Sequence, residues 1–452
     1  MKIIKYIFLS IIIVFCSSIF VNSATIDAKS VQEQNKISNP NNNVDISASD
    51  TIDDWADKAI HKFGIDGFGE HNGKFFFYAS QSVALKPIDP QFGDALINAY
   101  DKAMMKLQTK YLMARFGNVV VNKIKSFYSD RSTDAKNIEL PRSDSKGFLG
   151  KLLRVLNKSL DVKEKKLDKE LLSLGVSEDD LKHMTPKMKK DIFRDKFIKQ
   201  AIKKASGSIA GLFPMQTALA TDKRGNYVVG VIAVASPKTI QIVKDIRLHR
   251  KSLIRGRGKD VKEFVPQDPK KYLQTFGVRL AYDKDGTPMI VSYGMGSYVL
   301  DGGDDYINDQ YKSEAKENAK SNADAQIAEI VNGYLSVRQV RKNGEEIRKY
   351  VEREVKANSD TIEKSIKNII KITNNSARSS ARASLKGIST VKTWRYTLDK
   401  KIKFVGAIRV WRYSTLEAVE NFGKHKREVK HKHRKYQENL GESKVVNDIN
   451  DF

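Results

Sequence analysis

Two segments of the chain resemble each other at a constant spacing of 176 residues. The stretch VVGVIAVASPKT, residues 228–239, aligns without gaps with FVGAIRVWRYST, residues 404–415. At the same spacing Gly211 matches Gly387. Further upstream, a spacing of 213 residues relates residues 63–65 to 276–278 and residues 72–73 to 285–286. Self-similarity of this kind is typical of repeat architectures, so we predict that two copies of one unit make up most of the chain.

Each copy contains the same order of predicted elements. An Asn-Gly or Asp-Gly turn, at residues 71–73 and 284–286, predicts an opening hairpin. A long helix follows, at about residues 92–116 in the first copy and about 306–337 in the second. A second helix, at about 191–206 and 360–384, leads to a closing hairpin that turns at residues 222–226 or 399–401. The predicted fold class is α+β, with two tandem repeated αβ units, each a small sheet covered by helices.

The apolar patterns of these elements predict how they pack. Both faces of the strand at residues 228–234 are apolar, which is typical of a central strand that is buried on both sides. In the second copy Arg409 and Trp411 interrupt one face, so we expect more exposure there. The long helix of the second copy carries small residues at every fourth position, which lets a helix lie close to a sheet. These residues are Ala315, Ala319 and Ala323, followed by Ile327.

The difference between the two spacings implies about 37 additional residues in the first copy. Residues 146–190 are the place for them, because Leu152, Leu156 and Leu160 have helical spacing. We predict a helical insertion that protrudes from the first unit. The chain then has six parts: a signal peptide at 1–24, a flexible polar leader at 25–50, repeat 1 at 51–250, a basic linker at 251–275, repeat 2 at 276–423, and a basic C-terminal tail at 424–452.

The first residues predict export through the secretory pathway. Lys2 and Lys5 precede an apolar run at residues 7–21, and the small residue Ser23 offers a cleavage site. A short membrane anchor is the alternative, but the run is shorter than the roughly 20 residues that span a bilayer. The expected location is periplasmic or extracellular, including association with the outer membrane. Cleavage would remove the only cysteine, Cys16, and with it any disulfide.

Motifs for catalysis, metal binding and nucleotide binding are weak. The seven histidines form no zinc-protease pair, and three of them lie among the Lys and Arg of residues 424–435, which would repel a cation. Two Ser-x-x-Lys spacings, at residues 313–316 and 389–392, lack the partner motifs of that hydrolase class. The acidic run at residues 301–305 is better explained as the cap of the following helix. The sequence predicts no cofactor, no metal and no catalytic residue.

Positive charge is the feature that points to a partner. The chain has 80 Lys plus Arg against 54 Asp plus Glu, a formal net charge of +26. Seven basic residues lie in residues 247–262, and seven more lie in residues 424–435, again 176 residues further on. We predict that these two basic segments bind a polyanion, although such runs also serve only to solubilise a protein. The candidate residues are Arg247, Arg250, Lys251, Arg255, Arg257, Lys424, Lys426, Arg427, Lys430, Lys432, Arg434 and Lys435.

The closing strand of each copy reads Val-Gly-x-Ile-x-Val, at residues 229–234 and 405–410. With the order of hairpin, long helix, second helix and hairpin, it resembles the αβ unit of the N-terminal domain of flagellar assembly protein T and of lipoprotein-20-like envelope proteins. It also resembles an uncharacterised family of secreted bacterial proteins. The likeness covers most of residues 60–250 and 275–423. It implies an envelope-associated structural or assembly role without catalysis, and the insertion and the basic segments depart from its pattern.

These observations predict a non-catalytic, exported envelope protein with a binding or scaffolding role. The expected partners are an anionic envelope polymer, a lipid surface or an envelope protein, and the oligomeric state is left open. A secreted nucleic-acid-binding protein is the first alternative, since nucleic acid is also a polyanion. A hydrolase of envelope polymer is the second, and it would need a pair of carboxylates in a cleft.

Overall fold

The computed structural model describes residues 24–27, 47–89, 91–128, 141, 147–161, 164–206, 211–248, 250–300, 303–332, 349–353, 356–384, 386–398 and 402–421. The described chain includes the helices α1 (Ala48–Lys62), α2 (Phe92–Tyr128), α3 (Phe148–Asp161), α4 (Glu164–Ser173), α5 (Glu178–Lys182), α6 (Pro186–Ser206), α7 (Pro237–Arg247), α8 (Pro269–Tyr272), α9 (Asp305–Asn332), α10 (Ser359–Ser384) and α11 (Tyr413–Asn421).

Sheet A belongs to the first unit. Its strands are β1 (Ala24–Asp27), β2 (Gly69–His71), β3 (Lys74–Ser82), β4 (Phe213–Thr221) and β5 (Tyr227–Ala235). Four of them form an antiparallel sheet in the order β2-β3-β5-β4, and β1 extends it in parallel beside β4. The strand β5 lies between two neighbours with both faces buried, as predicted. Asn72 and Gly73, with φ of 51° and 74°, make the predicted turn between β2 and β3.

Sheet B belongs to the second unit and has the same strand order. Its strands are β6 (Gly277–Tyr282), β7 (Pro288–Val299), β8 (Ile388–Thr397) and β9 (Ile402–Trp411), arranged as β6-β7-β9-β8. Irregularities also correspond, because the register shifts at residues 214–216 in β4 and at residues 390–392 in β8, at the 176-residue spacing. Gly211 and Gly387 have φ of 93° and 90°. The predicted α+β class with two tandem αβ units is confirmed.

The helix α2 lies between the two sheets. A single cluster of buried residues includes Val231 of sheet A, Leu96 of α2 and Val291 of sheet B. The outer face of sheet A is covered by α1, whose Trp55 lies against Gly230. The outer face of sheet B is covered by α9. The layers therefore follow one another as α1, sheet A, α2, sheet B and α9.

The predicted close contact of α9 with its sheet is confirmed. Ala315, Ala319 and Ala323 are all buried. Opposite them lie glycines of β7, and a Cβ added to Gly294 would come within 1.9 Å of the carbonyl oxygen of Ala319. The helix begins where predicted, because the Asp304 carboxylate accepts a 2.8 Å hydrogen bond from the amide of Tyr306.

The insertion in the first unit is helical, as predicted, and it packs against other helices of the chain. Leu152, Leu156 and Leu160 are at most 3% exposed. They pack with the C-terminal half of α2, with α6 and with α10 in a second hydrophobic cluster. The stripe of leucines faces this cluster because each insertion helix has only one apolar face to bury.

Three further expectations differ from the structure. The helix α1 begins at Ala48, inside the predicted leader, because Ala48, Ile52, Trp55 and Ala59 form an apolar face. The helix α2 continues to Tyr128 rather than ending near residue 116, because its second half joins the helical cluster. Trp411 is only 1% exposed, contrary to the exposure expected there.

Candidate functional site: a cavity between the two units

A cavity of about 610 Å³ lies where β4 of sheet A meets β6 of sheet B. This volume is within the range of small-molecule binding sites, about 300–1,000 Å³. Its walls are mostly apolar and come from both units and from the linker between them. They include Phe213, Pro214 and Met215 of the first unit, Phe264, Val265 and Pro266 of the linker, and Leu280, Ala281, Tyr282 and Tyr293 of the second unit.

Arg279 of β6 is the buried charge of this cavity. Arg279 is among the residues that line the cavity, and it is only 5% exposed. The guanidinium donates to the carbonyl oxygens of Phe276 and Val278 at 3.1 and 2.9 Å, and to the Thr217 hydroxyl at 2.7 Å. All three acceptors are neutral. Within the described chain no carboxylate oxygen lies within 4.0 Å of Arg279.

The two tyrosines nearest Arg279 do not neutralise it. Burial raises the pKa of Tyr100 and of Tyr293, and the nearby Arg279 charge only partly opposes this. Both phenols therefore stay protonated at neutral pH. Burial also lowers the pKa of Arg279, but arginine side chains keep their charge in proteins. A buried cation with only neutral partners is costly, and an anion bound beside it would offset that cost.

The basic linker forms the roof of the cavity. The amide of Gly256 donates to the Gly286 carbonyl at 3.1 Å, and the amide of Lys259 donates to the Tyr282 carbonyl at 3.0 Å. Further along, the Tyr293 hydroxyl donates to the Phe264 carbonyl at 2.8 Å. The first basic segment is thus folded onto the β6–β7 hairpin rather than projecting as an arm.

Other charged groups surround the cavity. Arg257, Lys259 and Lys271 are among the residues that line it, together with a single acidic residue, Glu263. The Glu263 carboxylate is occupied locally, because it accepts a 3.1 Å hydrogen bond from the amide of Asp260. The lining therefore carries four basic side chains, including Arg279, against one acidic side chain. The electrostatic potential of such a cavity favours an anion.

The structure places the predicted polyanion-binding residues in different roles. Arg247 lies in the last turn of α7. Arg250 forms a 2.6 Å ion pair with the buried Asp245, and the Lys251 ammonium lies 3.9 Å from the Glu417 carboxylate. Arg255 donates to backbone carbonyls, including that of Ile254 at 3.1 Å. Of the five, only Arg257 lines the cavity.

The remaining seven predicted residues lie outside the described residues. These are Lys424, Lys426, Arg427, Lys430, Lys432, Arg434 and Lys435. Conversely, Arg279, the buried cation of the cavity, was not among the residues predicted from the sequence. A charged residue between Val278 and Leu280 has the pattern of a strand with one solvent-facing side. Its burial depends on Thr217 of the other unit, and no local signal reveals that contact.

Residues 152–248 match the family model of a domain of unknown function, DUF6844. The DUF6844 match covers most of α3, the helices α4 to α6, the β4–β5 hairpin and α7. It thus includes one wall of the cavity, formed by residues 213–215, and excludes Arg279 and the linker.

A solved structure supports the fold beyond the DUF6844 segment. The 2.3 Å crystal structure of the hypothetical protein FTT1539c from Francisella tularensis is similar, with a TM-score of 0.50 and 20% sequence identity. The similarity covers 81% of this chain and 91% of the other. At this identity the likeness concerns the fold alone. No curated protein matches the chain.

The described chain shows neither a metal-binding cluster nor a membrane-spanning helix. The described residues hold no group of three or more His, Cys, Asp or Glu side chains placed to bind a metal ion. None of the helices in the described ranges is long and apolar enough to cross a bilayer.

Proposed function

We propose that this is a non-catalytic binding protein of the bacterial envelope, which holds an anionic envelope component in the cavity between its two units. The observation that carries the proposal is the buried Arg279, which lines a cavity of about 610 Å³ and has only neutral hydrogen-bond partners. Export rests on the signal-peptide pattern of residues 1–24. The two sheets act as the frame that keeps the walls of the cavity in place.

The folded linker connects this proposal to the basic composition. Arg257 lies on the exposed side of the linker and also lines the cavity. Basic side chains at the entrance raise the local concentration of anions and speed their association. The excess of positive charge would then guide an anion to the cavity, where Arg279 binds it.

The alternatives make different demands on the cavity. A hydrolase of the two-carboxylate kind needs two facing acidic side chains, and the residues lining this cavity include one, Glu263. A nucleic-acid-binding protein would bind naked DNA with an affinity that falls steeply with salt.

The test uses residues 25–452, the form that the predicted cleavage leaves, and native mass spectrometry. The protein is incubated with a lipid extract of bacterial envelope, with an aqueous polymer extract, or with a short duplex DNA. We expect an anionic adduct from one envelope extract. The adduct should be lost in the double variant Arg257→Glu, Lys271→Glu, which reverses two exposed charges of the cavity lining.

The matched control is the double variant Lys316→Glu, Arg395→Glu. It makes the same change of charge at exposed residues of α9 and β8, away from this cavity. The proposal requires that the control keep the adduct. Equal loss of the adduct in both double variants would mean that only the overall charge of the protein matters, and the proposal would be wrong. Binding of DNA alone would favour the nucleic-acid alternative.

A further inference from the structure

The cavity combines one deep cation with long apolar walls, and this combination selects a class of ligand. Arg279 sits at the meeting point of the two units, where its guanidinium reaches Thr217 of β4. The Thr217 hydroxyl in turn donates to the Gln274 carbonyl at 3.3 Å. The cation is therefore held in place by both units and by the segment before β6.

Apolar residues of the first unit and of the linker line the cavity together with Arg279. Phe213 and Met215 belong to β4 of the first unit, and Phe264 and Val265 belong to the linker that forms the roof. Phe264 and Val265 are only partly buried, so the roof still presents apolar surface to the cavity. A small hydrated anion such as phosphate would leave this surface in contact with water, whereas an apolar group would cover it.

We infer that the ligand is an amphipathic anion that has one negatively charged group, bound by Arg279, and an apolar body that lies between Met215 and Phe264. This inference rests on the proposed function and narrows it to a class of ligand. A single anionic group matches the single buried cation. Charged hydrogen bonds to a buried guanidinium are stronger than those at a surface.

The first measurement compares two fluorescent probes that differ only in one sulfonate group. The probe 8-anilinonaphthalene-1-sulfonate has a sulfonate on an apolar ring system, and N-phenyl-1-naphthylamine has the same rings without it. Both fluoresce more strongly in an apolar environment. We expect the sulfonate to bind the full residues 25–452 with one site per chain and at least tenfold more tightly than the neutral probe. Inorganic sulfate should displace it only at millimolar concentration.

The second measurement places the anionic group. Arg279→Met should weaken binding of the sulfonate probe at least tenfold and leave the neutral probe unchanged, and Arg279→Lys should restore part of the affinity. Arg395→Met, which removes one exposed charge from β8, should leave the affinities for both probes unchanged. Circular dichroism of each variant checks the fold. A substitution at a buried residue can disturb packing, and an equal loss of affinity for the neutral probe would indicate that the cavity is damaged. In that case Arg257→Met, at an exposed residue of the cavity lining, is used to repeat the comparison of the two probes.

The outcomes separate this inference from the proposed function. Equal affinity for the two probes, or tight binding of inorganic sulfate, would overturn the amphipathic class even if an envelope adduct is found. Absence of any envelope adduct would overturn the proposed function. Displacement of the sulfonate probe by dodecanoate, and not by dodecanol, would support the inference with a chemically unrelated apolar group.

Discussion

Asp245 shows how a single buried carboxylate organises the first basic segment. It is 3% exposed and accepts hydrogen bonds from Gln241 at 2.7 Å, from Arg250 at 2.6 Å and from Ser252 at 2.8 Å. Burial alone would raise the pKa of Asp245, but these three donors outweigh burial, and its pKa lies below the ordinary value. Arg250 is therefore part of the fold, although its sequence context predicted a polyanion-binding role.

The structure predicts that Asp245→Asn destabilises the protein in a pH-dependent way. A carboxylate whose pKa falls on folding stabilises the fold above its unfolded pKa, and this stabilisation is lost as the pH falls through the folded pKa. At pH 7 the variant should lose about 1–3 kcal/mol, since hydrogen bonds to charged groups are removed. Urea unfolding at pH 7 and at pH 3 measures the difference, which should shrink at pH 3.

Asp309→Asn is the matched control at the residue scale. The Asp309 carboxylate also has a lowered pKa, because it accepts a hydrogen bond from Lys312, but its side chain is 75% exposed. Exposed pairs of this kind contribute little to stability, because solvent screens the two charges. An equal loss of stability in the two variants would show that the buried hydrogen bonds of Asp245 stabilise the protein no more than an exposed ion pair does.

At the scale of elements, the contact between α9 and β7 depends on the absence of side chains. We predict that Gly294→Ala destabilises the protein by about 1–3 kcal/mol or more, because the new methyl group would meet the backbone oxygen of Ala319. A backbone atom cannot move aside as the end of a flexible side chain can. Thermal or urea unfolding measures the effect.

Gly150→Ala also replaces a glycine by alanine, but we expect it to increase stability. Gly150 lies inside α3, and an added Cβ would meet no atom within 4 Å. Alanine is favoured over glycine inside a helix by about 1 kcal/mol, so this variant should be more stable than the original chain. Destabilisation by Gly150→Ala, or no effect of Gly294→Ala, would contradict the packing described here.

Elements with a local signal were predictable. The Asn-Gly turn requires left-handed backbone angles, and the alanine stripe of α9 has the spacing of one helix face, so hairpin and helix contact both followed from the sequence. The helix α1 had such a signal at Ala48, Ile52 and Trp55, but the polar composition of the preceding residues obscured it. The insertion was predicted as helical, while its partner α10 lies far away in sequence, so that contact could not be inferred.

At the scale of the whole molecule, the candidate site depends on contacts that no local pattern records. Its walls come from residues 213–215, 257–267 and 279–282. These segments meet only because sheet A and sheet B both pack on α2 and bring β4 beside β6. Basic composition drew attention to the linker that holds Arg257, but the buried cation Arg279 lies on the strand that the linker covers.

The shared position of α2 predicts that the two units unfold together. Leu96 of α2 is 1% exposed in the cluster that joins the two sheets, so Leu96→Ala removes packing from both units at once. Truncation of a buried leucine costs about 2–5 kcal/mol. Leu253→Ala is the matched control, since Leu253 is 93% exposed and its truncation should change stability little.

The three tryptophans allow each unit to be followed separately during urea unfolding. Trp55 reports on sheet A, and Trp394 and Trp411 report on sheet B, so Phe replacements can leave either one reporter or the other pair. We expect both reporters to show one transition at the same urea concentration, and Leu96→Ala to move both by the same amount. Two transitions, or a shift of the Trp55 signal alone, would mean that the units fold independently. The cavity between them would then have no fixed shape, because its walls belong to both units.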